Sequence, residues 1–92
     1  MTYSELMELI ERYRSQPIET VRGTYFTASS YMGSPVFTPV STGLGRSDGR
    51  KAAERFLERF NDTGSLRPGD YGDLTRNASY LIGLILHDRR SR

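Results

Sequence analysis

The chain lacks cysteine and tryptophan, and it carries one histidine and, among thirteen cations, one lysine. Without cysteine there is no disulfide, no thiolate nucleophile and no thiolate-held cluster. A structural zinc site, which takes about four Cys or His ligands, also lacks its donors. The single histidine, His87, leaves little scope for general acid–base chemistry. Its neighbour Asp88 projects about 100° away on a helix and does not form a dyad by adjacency. Long apolar runs are missing too, and none approaches the roughly 20 residues of a membrane span. Glu5, Glu8 and Glu11 occupy the N-terminus, where a secretion signal would be basic and then apolar. Ninety-two residues suit one domain, 1–92, with 88–92 expected as a frayed basic tail. These absences predict a soluble, cytoplasmic protein with no membrane partner, no cofactor, no metal and no assigned catalytic residue.

The largest absence is of charge in one region. Residues 23–45 hold no charged side chain, although the whole chain has thirteen cations and eleven anions. The preceding 22 residues sum to −1 and residues 46–60 to +2. Residues 61–86 return to −1, and the segment from His87 to Arg92 adds +2. Twelve of the thirteen cations are arginine, the side chain suited to forked contacts with phosphate, carboxylate or guanine. An arginine-rich coding bias accounts for the same count without any function.

The pattern predicts an α+β fold. It consists of an N-terminal helix, an antiparallel β-hairpin with room for a short third strand, then two helices packed on one sheet face. Thr2 and Glu5 have the spacing of a capping box, and Leu6, Met7, Ile10 and Tyr13 form an apolar stripe that ends before Pro17. Glu8 and Arg12, four apart, suit an exposed pair. Residues 20–32 are rich in Thr, Tyr, Phe and Val, and Gly33-Ser34 suits a two-residue hairpin loop. That loop pairs Tyr31 with Val36, Ser29 with Thr38 and Thr27 with Val40, and puts Phe26, Ala28, Ser30, Met32 and Phe37 on the opposite face. Pro35 and Pro39 cannot donate to a ladder, which places the second strand at a sheet edge.

Ser47 or Asp48 can cap a second helix running to about Phe60, with Ala53, Phe56, Leu57 and Phe60 as its apolar stripe. Arg67-Pro68-Gly69-Asp70 reads as a type II turn. The last helix starts near Asp73 and carries Leu74, Ala78, Leu81, Ile82 and Ile85. Residues 80–86 also fit a short buried strand, against which polar Asn77 and Ser79 argue. The expected core is Leu6, Ile10, Phe26, Phe37, Phe56, Phe60, Leu81 and Ile85.

Three basic segments are candidate anion contacts. In the glycine-rich loop that enters the second helix, Arg46, Arg50 and Lys51 surround amides able to meet an anion. Its spacing fits neither a Walker loop nor a dinucleotide fingerprint, and Asp48 competes for the same amides. Lys51, Arg55 and Arg59 form an i, i+4, i+8 stripe, and Arg89, Arg90 and Arg92 close the chain. Tyr25 and Tyr31 on the hairpin are candidates to stack on unpaired bases. Asp62, Asp70 and Asp73 are too few for a convincing metal site, and capping and turn roles explain the last two.

Two functions follow. The first is a non-catalytic module contacting nucleic acid through Arg46, Arg50, Lys51, Arg55, Arg59, Arg89 and Arg90. The second is a protein-interaction or inhibitor module that uses the uncharged hairpin and has no nucleic-acid role, a homodimer through the hairpin edge or face included. An enzyme working through Arg and Tyr comes third, with no spacing that identifies it.

Overall fold

A computed structural model describes all residues, 1–92. In chain order it contains α1 (Tyr3–Arg12), β1 (Ile18–Glu19), β2 (Tyr25–Tyr31), β3 (Ser34–Pro39), β4 (Arg46–Ser47), α2 (Arg50–Thr63) and α3 (Ala78–Ser91), with a 3-10 turn at Pro68–Tyr71. The class is α+β. The four strands form an antiparallel meander in the order β1-β2-β3-β4. No helix is long and apolar enough to cross a membrane.

Helix α1 starts on the capping box. The Glu5 amide donates to Thr2 Oγ1 at 3.1 Å, and the Thr2 amide donates to the Glu5 carboxylate at 3.0 Å. Two orphan donors of the first turn are thereby satisfied. Leu6, Leu9 and Ile10 are buried, and the helix stops at Arg12, ahead of Pro17. The expected Glu8–Arg12 pair is not formed, because Arg12 reaches Asp88 on α3 instead.

The hairpin keeps its predicted faces but not its predicted register. Its loop is Met32-Gly33, with φ +50° and +78°, so both central residues are left-handed as a type I′ turn requires. Tyr31 therefore pairs with Ser34, Ser29 with Val36 and Thr27 with Thr38. Moving the loop by one residue shifts each partner by two, which leaves every side chain on its own face. Phe26, Ala28 and Phe37 point into the core as the alternation demands.

Strand β3 is not at an edge, contrary to the proline argument. It pairs with β4 through Val36↔Ser47 and Phe37↔Arg46. The Val40 amide donates to Tyr25 O at 3.0 Å, so the even-numbered amides of this stretch face β2. Pro35 and Pro39 remove donors only on the β4 side. There the ladder is two residues long, and the Pro35 carbonyl still accepts from the Asp48 amide at 3.0 Å.

All three helices pack with the sheet around one core that includes every predicted core residue. Tyr80 on α3 lies against Phe26 and Phe37, with ring centroids 5.0 and 5.8 Å away. Gly83 lets α3 come this close. A Cβ there would stand 3.1 Å from Phe26 Cε1 and 3.3 Å from the Glu19 carbonyl. Residues 80–86 are helical, but α3 begins at Ala78 after an Asn77 N-cap, later than Asp73. It continues through residues 88–91, the expected frayed tail, to Ser91. Helix α2 runs on to Thr63 and stops at Gly64, whose φ of +66° carries its amide back to Phe60 O at 2.8 Å. Residues 67–70 enter a 3-10 turn in which Gly69 has no positive φ, so the turn is not type II. Tyr71 from this turn joins the core against Phe56, and its hydroxyl donates to Ser65 O at 2.7 Å.

Candidate functional site: the open face of the sheet

Six large hydrophobic side chains are exposed: Val21, Tyr25, Tyr31, Met32, Val40 and Leu44. All come from the sheet and its loops, and five of the six fall inside the charge-free stretch. Alternation along β2 places Tyr25 and Tyr31 on the face away from the helices. Val40 lies opposite Tyr25 on the same face. Met32 at the hairpin tip is 86 % exposed, Tyr31 71 % and Leu44 72 %. Gly45 runs beside β3 just ahead of β4, where a Cβ on this face would stand 3.1 Å from Val36 Cγ1 and 3.4 Å from Thr38 Oγ1. Thr27, Ser29, Val36 and Thr38 fill the middle and are half-buried. The result is an open surface of aromatic, aliphatic and hydroxyl groups, with Glu19 of β1 opposite Tyr25 at its edge. Its two outer strands, β1 and β4, are two residues each.

The candidate cations are distributed over other parts of the molecule. Arg50 is paired with Glu54 at 3.3 Å, and its guanidinium lies 4.6 Å over the Tyr3 ring. Arg59 is held in a fork by Asp73 at 2.6 and 3.1 Å and also donates to Asp70 O. Arg89 stands 5.7 Å over the Phe60 ring. Arg46, Lys51, Arg55, Arg89 and Arg90 make no ion pair, whereas Arg92 bridges back to Asp88.

Four of the seven candidates are divided among three separate depressions. Arg55 and Arg59 line one with Glu58 and Asp62, Arg50 lines a second with Glu8 and Glu11, and Arg90 lines a third with Glu19. Each mixes cations with carboxylates. Tyr25 and Tyr31, the stacking candidates, stand on the open sheet face and not on the helices that carry Lys51, Arg55, Arg59, Arg89 and Arg90.

Two carboxylates are buried, and they differ in their company. Asp88, 3 % exposed, accepts from Arg12 at 3.1 Å, from the Tyr13 hydroxyl at 2.8 Å and from Arg92 at 2.8 Å. Burial pushes its carboxyl up, but those bonds and the Arg92 charge outweigh it and hold it below the usual aspartate range. Asp48, 4 % exposed, has no cation and accepts only from Thr75 Oγ1 at 2.6 Å and Asn77 Nδ2 at 3.3 Å. Here burial prevails over the two bonds and raises the carboxyl. Asp48 is thus no helix cap. Gly49 is the N-cap residue of α2, with no side-chain bond. Neither buried carboxylate stood out by spacing, because their partners lie 27–29 and 75–76 residues away for the long-range bonds.

His87 meets the edge of the Tyr13 ring at 4.9 Å and has no carboxylate partner. No group of three or more His, Cys, Asp or Glu residues is gathered as metal ligands would be. Comparison with known proteins finds no matching family model, no matching curated protein and no matching solved structure.

Proposed function

We propose that this protein is a non-catalytic protein-interaction module that docks through the open face of its sheet, and that its occupant is a second copy of the chain. The concentration of exposed apolar side chains on the open face of the sheet, to which β2 and β3 bring no charge, carries this reading. Two molecules of net charge +2 repel weakly, and because β2 and β3 are uncharged, little charge apart from Glu19 at the edge of the face has to be desolvated. Edge pairing has less to offer than face pairing, since β1 and β4 are short and the prolines interrupt β3 on the β4 side. Burial of aromatic and aliphatic groups then drives association, which salt does not screen.

Sedimentation velocity at micromolar to near-millimolar protein tests this, in low salt and in 1 M salt. Dimer that persists at high salt supports the reading, and a monomer throughout the range overturns it. Nucleic acid binding is the second reading, supported by the five candidate cations without ion pairs. Labelled single- and double-stranded DNA and RNA, titrated across salt, separate the two readings. Affinity that falls steeply with salt supports nucleic acid, and none at low salt removes it.

A further inference from the structure

Asp48 leads into α2 and Asn77 caps α3, so their side chains join the entrances of two helices. The Asn77 Nδ2 donates to Asp48 Oδ1 at 3.3 Å, and Thr75 Oγ1 donates to the same oxygen at 2.6 Å. Two enclosed atoms remain without a partner: Asp48 Oδ2 and Asn77 Oδ1. Both are acceptors when the carboxyl is ionised, and exchanging N and O of the amide leaves the number of acceptors unchanged. An ionised carboxylate here would also be a buried charge without a counter-ion.

A carboxylic acid and a primary amide pair through two bonds, amide N–H to acid carbonyl and acid O–H to amide oxygen. The first bond is present, and the two atoms of the second are the two left over. We propose that Asp48 is protonated in the folded protein and donates its Oδ2–H to Asn77 Oδ1, forming a neutral latch between the entrances of α2 and α3 that opens as the proton is lost. The proton comes from solvent on folding and returns to it on opening.

The surrounding charges do not supply a substitute. Tyr3 on α1 and Arg50 and Glu54 on α2 lie on one side, with Arg50 engaged by Glu54 and Tyr3. Asp73 and Arg76 line the depression beside Asp48, and Asp73 is held by Arg59. None of these is bonded to Asp48. The upward push of burial on this carboxyl agrees with the geometry. A group raised on folding contributes stability that is full below its unfolded range and is lost as pH rises through its folded value.

Two measurements test the latch. Carboxyl carbon NMR should show Asp48 titrating above the usual aspartate range. The D48N variant replaces the acid O–H by an amide donor and does not titrate. Its melting temperature should match wild type in acid and exceed it by about 4–8 °C above the Asp48 transition. An Asp48 carboxyl titrating within or below the usual aspartate range overturns the latch. So does a D48N protein that melts below wild type by the same amount at every pH.

Discussion

The two faces of the sheet come from the same strands and serve different ends. On the helix side Phe26, Ala28 and Phe37 are fully buried and touch Tyr80 and the rest of the core. On the same strands or directly beyond them, an odd number of residues away, Tyr25, Tyr31 and Val40 stand exposed on the other side. Strands rich in aromatic and β-branched residues on both faces bury more than one side of helices can cover. The covered face holds the fold together, and the open face carries surplus apolar surface of the kind that marks an interface. The charge distribution agrees, since the cations lie outside β2 and β3, on the helices, the loops and the two-residue strand β4. Arg12, Arg50 and Arg59 are paired with carboxylates.

The comparison breaks most sharply at Phe26. Phe26→Ala leaves a cavity beneath α3 and should cost about 3–5 kcal/mol of folding free energy in denaturant titrations. Next comes Asp88, the ionised counterpart of Asp48. Asp88→Asn should cost about 1–2 kcal/mol at neutral pH, discounted for the exposure of both arginines. Because the Asp88 carboxyl is lowered on folding, its contribution is present above the unfolded aspartate range and is lost as pH falls through its folded value. Thermal melts across pH should therefore show the D88N deficit closing in acid, the reverse of the D48N gain. Smallest on stability is Tyr25→Ala, one residue from Phe26. It should change the unfolding free energy of the monomer by less than about 0.5 kcal/mol while weakening the dimer.

Where spacing is local, the sequence was readable. Thr2 and Glu5 announced α1, and the stripe of Ala53, Phe56, Leu57 and Phe60 announced α2. Hairpin parity was legible because Phe26, Ala28 and Phe37 alternate, whereas register depended on Met32 adopting a left-handed φ that a non-glycine residue seldom takes. Strands β1 and β4 were invisible because two residues carry no period. Asp48 misled for a physical reason. A carboxylate ahead of a helix normally accepts from its first amides, yet here Thr75 and Asn77, far along the chain, turn it inward. The seven candidate cations were easy to name, but the separation of four of them among three depressions depends on how α2 and α3 lie against the sheet. The uncharged stretch was visible from the start, and the structure divides it between the buried face and the open face of the sheet.

The most direct test is an amide correlation spectrum of wild-type protein recorded over a hundred-fold dilution, beside the double variant Tyr31→Lys, Val40→Lys. Concentration-dependent shifts confined to the strands and loops of the open face, strongest at Tyr25, Tyr31 and Val40, and abolished in the double variant are the expected result. Spectra that do not change on dilution, or that change chiefly on α2 and α3, would contradict the sheet face as the docking surface.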